Sequence, residues 1–187
     1  HISGAVKVWN PATGQLIRVM PERHNNIVTS LALDQNGLVI SAINDGTIKV
    51  WDTLNGVCKA TLNGLNIRVL CICSLIGGGF ATGHDDGKIM RWTLSVTDVS
   101  VSIECSKILE GHTSWVTALC QLTDGRLVSG SNDKHIRVWN IDAGICLRVI
   151  RVHLYFIINL AVHPDGLSIV SCSGNSISKC IHVTALD

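Results

Sequence analysis

Residues 129–140 read SGSNDKHIRVWN, and the pair GH at 111–112 places His112 seventeen residues ahead of Ser129. A serine, a histidine and an aspartate this close together have the residue types of a nucleophile, its base and an orienting acid. They equally have the types of a hydrogen-bonded frame that performs no chemistry. Copies of the phrase elsewhere in the chain decide between the two. Trp9, Trp51, Trp92 and Trp139 lie 42, 41 and 47 residues apart and close the phrases SGAVKVWN, DGTIKVWD, DGKIMRW and DKHIRVWN. A further, eroded copy, IVSCSGNSISKCI at 169–181, aligns with LVSGSNDKHIRVW at 127–139 and puts Ile181 in the tryptophan slot. Ahead of these phrases stand RHNNIVTSLAL, NGLNIRVLCIC, GHTSWVTALCQL and VHLYFIINLAV. Residues 1–187 therefore read as one segment, with a leader at 1–22 and repeats at 23–62, 63–109, 110–150 and 151–187.

Within a repeat, short alternating apolar runs are separated by turn residues, which predicts strands and hairpins rather than helices. In the third repeat the strands fall at 115–121, 126–131, 135–140 and 145–150, joined by TDG, ND and DAG. The other repeats offer QNG, GGG and HPDG at the first joint, with glycine available for a tight reversal. A four-stranded sheet of about forty residues cannot bury both faces alone. Successive sheets must stack on one another around an axis, which makes the expected fold all-β with four-stranded antiparallel blades.

A repeat of this length, with GH near its start and a Trp-Asp-like pair near its end, resembles the WD-repeat β-propeller family, and the resemblance runs through the whole chain. Only Trp51 is followed by aspartate, Asp52; Asn10, Thr93 and Asn140 stand at the other equivalent positions. The resemblance implies a tetrad of histidine before the first strand, serine or threonine on the second, aspartate in the next turn and tryptophan on the third. Two repeats have all four members: His24, Ser41, Asp45, Trp51, and His112, Ser129, Asp133, Trp139. The second repeat has Leu65 in place of histidine and keeps Thr82, Asp86 and Trp92; the last has His153 and Ser171 with Asn175 and Ile181. The chemistry of the set is self-consistent: an indole N–H only donates, a hydroxyl accepts and donates, an imidazole passes the chain on and a carboxylate accepts.

Catalysis is the weaker reading of these residues. A nucleophile needs exposure to substrate and nearby oxyanion donors, whereas this serine is to be buried against an indole. Recurrence points the same way, since an enzyme needs one site and two complete sets fit a structural duty. No catalytic residue is therefore assigned.

Composition narrows the remaining classes. Fifteen basic and fourteen acidic residues leave a formal charge of +1, with no basic stretch built for nucleic acid and no apolar run long enough to span a bilayer. No signal peptide opens the chain, and residue 1 lies inside a repeat, so a fragment of a longer propeller is expected, an incomplete ring with open edges for association. Eight cysteines, at 58, 71, 73, 105, 120, 146, 172 and 180, form no CxxC pair. They read as reduced core thiols of a cytoplasmic or nuclear protein. His84, His135, His163 and His182 have no metal spacing and read as surface or turn residues. No glycine-rich stretch is followed by G-K-[ST], so neither cofactor nor metal is expected.

Function then falls to the propeller surface. The resemblance implies that loops entering the first strand and turns before the third share one face around the channel and bind peptides. Trp115, Arg68, Asp85, Asn132 and Tyr155 are the candidates there, with Trp115 either an exposed hot spot or a packing residue between blades. The expected function is a non-catalytic protein-interaction scaffold within a multiprotein assembly; the alternative is a regulatory or substrate-recruiting domain of a larger enzyme, such as a ubiquitin-ligase subunit or kinase. Two irregularities stand out. The long interval before Trp139 places extra residues in TLSVTDVSVSIE, 93–104, expected as a loop on the opposite face. Arg91 replaces the valine that precedes tryptophan elsewhere and requires an acidic neighbour, while Lys49 and Arg137 are expected on an outward face.

Overall fold

The computed structural model describes residues 4–97, 100–151 and 153–174, together with the backbone of 181–183. Among these residues there are strands and turns and no helix. A leading pair, β1 (Lys7–Trp9) and β2 (Leu16–Val19), is followed by three complete four-stranded blades. The first blade is β3 (Val28–Leu33), β4 (Val39–Ile43), β5 (Ile48–Asp52) and β6 (Val57–Leu62). The second is β7 (Val69–Ser74), β8 (Phe80–His84), β9 (Ile89–Val96) and β10 (Val101–Leu109). The third is β11 (Val116–Gln121), β12 (Leu127–Ser131), β13 (Ile136–Asn140) and β14 (Ile145–Ile150). In the fourth, β15 (Ile157–Val162), β16 (Ile169–Ser173) and β17 (Ile181–Val183) form a three-stranded sheet.

Every sheet is an antiparallel meander in chain order. The first strands stand beside one another, β3 by β7, β7 by β11 and β11 by β15, so they form the inner wall of an open, incomplete ring. Fourth strands lie outermost, and β6 and β14 are accordingly only half covered. Second strands are covered on both sides: β8 and β12 are buried at every position. This explains why FATGH and LVSGS carry no polar alternation.

One small residue per blade sets the spacing between blades. A Cβ added to Gly83 meets Val116 Cγ1 at 2.6 Å, and one added to Gly130 meets Ile157 Cγ2 at 2.5 Å. Ala42 holds the equivalent place beside Val69. The leading side chain of each inner strand thus enters a hole in the blade before it. Polar ties cross the same seam, since Thr29 Oγ1 donates to Val69 O at 2.8 Å and Thr117 Oγ1 to Ile157 O at 2.6 Å.

The recurrent tryptophans pack toward the preceding sheet. Trp51 shares a core cluster with Val6 and Met20, Trp92 one that includes Ile40 and Val50, and Trp139 one that includes Ala81 and Ile89. Trp9 is 52% exposed, there being no sheet ahead of the leading pair among the described residues. Across the third hairpin, Trp51 faces Cys58, Trp92 faces Cys105 and Trp139 faces Cys146, each beside a β-bulge. Cys105 belongs to this series although its distance from Trp92 differs, because the second blade's hairpin is longer.

Three expectations are corrected by the backbone and packing. The extra residues at 93–104 lengthen β9 and β10 into a long hairpin, in which Leu94, Val101 and Ile103 pack on the core shared with the first blade. Alternating apolar residues at 94, 101 and 103 favour strands over the expected loop. In the fourth blade, β17 pairs Val183 with Ile169, as Trp139 pairs with Leu127, so Val183 and not Ile181 holds the tryptophan slot. Lys49 and Arg137 do not face outward: Lys49 Nζ lies 5.4 Å from the Trp51 ring centroid and Arg137 Cζ 5.9 Å from that of Trp139. Residues two apart on a strand share a face, which brings each cation over its tryptophan.

Candidate functional site: the rim and its hydrogen-bonded frames

The frames under the rim begin at the indoles. Trp51 Nε1 donates to Ser41 Oγ at 2.7 Å, Trp92 Nε1 to Thr82 Oγ1 at 2.8 Å and Trp139 Nε1 to Ser129 Oγ at 2.8 Å. Each hydroxyl then meets a histidine Nε2: His24 at 2.5 Å, His84 at 2.7 Å and His112 at 2.7 Å. In the fourth blade His153 Nε2 meets Ser171 Oγ at 2.8 Å, while Asn175, Cys180 and the side chains of Ile181 and His182 lie outside the described residues.

Where these chains end differs from blade to blade. In the third blade His112 Nδ1 donates to Asp133 Oδ2 at 2.7 Å, and Asp133 also accepts from the Thr113 and His135 N–H groups. In the second blade His84 Nδ1 donates to the Arg68 carbonyl at 3.2 Å. A carbonyl only accepts, so Nδ1 carries the proton and Nε2 accepts from the threonine. In the first blade His24 Nδ1 is buried and has no partner among the described residues.

Asp45 and Asp86 thus stand apart from the expected tetrads. Asp45 Oδ1 accepts from Thr47 N–H at 2.9 Å and Asp86 Oδ1 from Lys88 N–H at 3.0 Å. Both carboxylates cap their own turns and lie exposed. His84 is a second correction: expected at the surface, it is completely buried and takes the place that Leu65 leaves without a histidine. The signal for it was its position. Residue 84 aligns with Ile43 and Ser131, both buried, and a buried imidazole requires hydrogen-bond partners.

Burial keeps these imidazoles neutral. It pushes His24 down to about 4 and also lowers His84, His112 and His153. Burial alone would raise Asp133, but the hydrogen bonds from His112 and from the His135 and Thr113 N–H groups outweigh it and hold the carboxyl below its usual range.

The turn carrying these aspartates needs a left-handed residue. Gly46 (φ +90°) and Gly87 (φ +86°) supply it, and at Gly87 a Cβ would meet His112 O at 2.5 Å. The third blade puts Lys134 there at φ 72°.

Above the frames, Ile27, Arg68, Trp115 and Phe156 each precede an inner strand and form a rim with the turns before the third strands. A cleft of about 520 Å³ is lined by Asn44, Asp45, Asn66, Ile67, Arg68, Asp85 and Asp86. Arg68 Nε lies 3.7 Å from Asp85 Oδ2, and Arg68 N–H donates to Asp85 Oδ1 at 3.3 Å. Trp115 does not line this cleft. It is 44% exposed, beside Asn132, whose N–H donates to Trp115 O at 2.8 Å. Tyr155 is 45% exposed and Phe156 47%, which gives the rim an aromatic side next to its acidic one. On the opposite face Arg91 finds its acid: Arg91 Nη1 lies 2.6 Å from Asp142 Oδ1 of the third blade.

A succession of four-stranded meanders around a central wall, framed by Trp-Ser/Thr-His chains, defines a β-propeller. The chain belongs to the WD-repeat family, matching the family described as WD domain, G-beta repeat, at residues 14–52, 103–140 and 144–181, more than half its length. The second blade, with its displaced histidine and long hairpin, falls largely outside those matches. Mitochondrial division protein 1 of Aspergillus terreus is 38% identical over 85 residues, 45% of this chain and 13% of that protein. Nuclear distribution protein PAC1-2 of Uncinocarpus reesii is 26% identical over 166 residues, 79% of this chain and 36% of that protein. A probable coatomer subunit beta' of Schizosaccharomyces pombe is 27% identical over 101 residues, 54% of this chain and 13% of that protein. The chain therefore spans between about an eighth and about a third of these relatives. Among solved structures, a chain of the crystal structure of the mitotic checkpoint complex superposes with a TM-score of 0.78 at 22% identity, over 92% of this chain and 54% of that one. That likeness concerns the fold.

Proposed function

We propose that this chain is a non-catalytic scaffold whose rim binds a peptide segment of a partner protein within a multiprotein assembly. The observation that carries the reading is the rim itself, where the Arg68–Asp85 pair lines a cleft and Trp115, Tyr155 and Phe156 stand half-exposed nearby. Aromatic side chains at the centre of a polar surface are the usual anchors of protein recognition. The serine and threonine hydroxyls support the non-catalytic part. Ser41, Thr82 and Ser129 are fully buried, and each is held between an indole and an imidazole. Seven free cysteines among the described residues fit a reducing compartment, the cytoplasm or nucleus.

Peptides selected from a displayed library on this chain test the reading. Trp115→Ala and Arg68→Ala are each expected to weaken the selected peptide by about tenfold or more at unchanged melting temperature. Unchanged affinity in both variants would overturn it.

A further inference from the structure

The loop entering the fourth blade is the most apolar part of the rim. Leu154, Tyr155 and Phe156 follow one another there and are 82%, 45% and 47% exposed. The equivalent triplets are NNI at 25–27, NIR at 66–68 and TSW at 113–115. Three blades therefore form without an apolar run at this place, and packing within the fold does not account for it. Contiguous exposed apolar surface on a folded domain marks contact with something else. The surface is also held in position. Gly174 N–H donates to Phe156 O at 2.8 Å, and a Cβ on Gly174 would collide with the Phe156 ring, which lies across that turn. Trp115, 44% exposed, occupies the place of Phe156 on the third blade and extends the patch across the seam.

The free charges beside this patch are positive. Arg151 opens the same loop, at the position that Glu22 holds ahead of the first blade and Glu110 ahead of the third. Lys134 adjoins the loop from the third blade. Turn glycines of the earlier blades press on the loop entering the next blade, a Cβ on Gly46 meeting Ile67 O and one on Gly87 meeting His112 O, each at 2.5 Å. Lys134 holds the equivalent place before the fourth blade. Both cations are exposed, and neither forms an ion pair among the described residues. The carboxylates nearby are committed elsewhere. The Asp133 side chain is 4% exposed and takes His112, Thr113 and His135, while Glu110 lies 3.8 Å from Lys88 of the second blade. Asp45, Asp85 and Asp86 line the cleft at the seam of the first two blades, so a ligand carboxylate is repelled there and attracted here.

We infer that the rim between the third and fourth blades docks an acidic, apolar peptide segment. An aromatic or aliphatic side chain of the segment rests on Trp115, Leu154, Tyr155 and Phe156, and a carboxylate within about two residues of it meets Lys134 and Arg151. The same cations disfavour a basic segment. Single-stranded nucleic acid also joins stacking to positive charge, but it needs a groove of cations along its backbone, which Lys134 and Arg151 do not make. The inference deepens the proposed function and rests on it for a peptide as the occupant.

Random decapeptides displayed and selected on the whole chain, then synthesised, test it. Enriched sequences should carry an aromatic residue or leucine within two positions of Asp or Glu. Leu154→Asn with Tyr155→Asn gives the fourth blade the residues of the first and should weaken these peptides by about tenfold or more. Leu154→Asn alone, at an 82% exposed position, serves if the pair lowers the melting temperature. Lys134→Gly with Arg151→Gln should weaken them by about fivefold, the first change restoring the glycine of the other turns. Exchanging the peptide's carboxylate for its amide should cost the wild-type chain the same fivefold and the charge variant nothing. Enrichment without an acidic residue, equal losses from the amide exchange in both chains, unchanged affinity in the loop variants, or displacement of the peptide by oligothymidylate would overturn the inference. If the peptides then still depend on Trp115 and Arg68, the peptide-binding rim stands without it. No enrichment at all removes both.

Discussion

His84 Nε2 lies 2.7 Å from Thr82 Oγ1, two residues away on the same strand, and so performs from within β8 the task that His24 and His112 perform from the loop ahead of their blades. The frame of the second blade is closed without its expected histidine. His84→Ala should therefore destabilise the chain by about 2 kcal/mol, through a buried hydroxyl proton left without an acceptor and the space of the lost ring. In urea unfolding, the combined change with Thr82→Val should cost less than the two single changes added together, because both break one network. Strict additivity would show that His84 merely fills volume.

The ends of the frames predict unequal roles for two aspartates. Asp133 accepts from three donors, while Asp45 accepts from Thr47 N–H alone among the bonds described above. Asp133→Ala should cost about 1–3 kcal/mol, and Asp45→Ala under about 1 kcal/mol. Equal losses in thermal melts would mean that Asp45 also serves as a frame acceptor.

Lys134 holds a left-handed conformation, φ 72°, at the position where the first two blades have glycine. A non-glycine residue pays about 1–2 kcal/mol there, partly offset by the greater chain entropy of glycine when unfolded. Lys134→Gly is expected to raise stability by about 0.5 kcal/mol, seen as a melting temperature higher by about 1–2 °C. A lower melting temperature would locate a compensating contact at the lysine.

Acid should destabilise the fold before any carboxylate titrates. His24 is held near 4 against an ordinary 6.5, and burial lowers His84, His112 and His153 as well. For a histidine depressed in the folded state, the unfolded chain takes up the proton first. Stability is complete above 6.5 and declines as pH falls toward 4, where the folded His24 also protonates. Asp133, held below its usual range, extends the loss into lower pH. A melting temperature constant across that interval would contradict the neutral buried imidazoles.

Thiol chemistry separates the cysteines. Burial pushes Cys73 up to about 11 and Cys120 up to about 12, and raises Cys71 further, whereas Cys105 is exposed. A thiolate-directed reagent at neutral pH should label Cys105 rapidly, and the three inner-strand thiols only on unfolding. Rapid native labelling of Cys71 would show the seam between the second and third blades opening.

The strands of the third repeat were legible because their signals are local. Runs expected at 115–121, 126–131, 135–140 and 145–150 are found at Val116–Gln121, Leu127–Ser131, Ile136–Asn140 and Ile145–Ile150. Alternation and turn glycines act over a few residues, so spacing alone conveys them. The frames were less legible, since repeat alignment names positions without saying which atoms meet. Asp45 and Asp133 align perfectly, yet only Asp133 turns one oxygen toward its histidine. His84 was hidden for the converse reason: it reaches an aligned hydroxyl from an unaligned position. Arg91 asked for an acid in sequence, and the acid, Asp142, lies 51 residues later on the next blade.

The holes at Ala42, Gly83 and Gly130 act as the hinge pins of the arc. Each receives the side chain that begins the next blade's inner strand, close to the rim and close to the axis. A wedge inserted at such a pin opens the angle between two blades, and the displacement grows with distance from it. A single methyl group would thus move whole rims relative to one another without touching them, at Gly83 parting Arg68 and Asp85 from Trp115, and at Gly130 parting Trp115 from Tyr155 and Phe156. The proposed peptide-binding rim is accordingly set by residues that lie outside it.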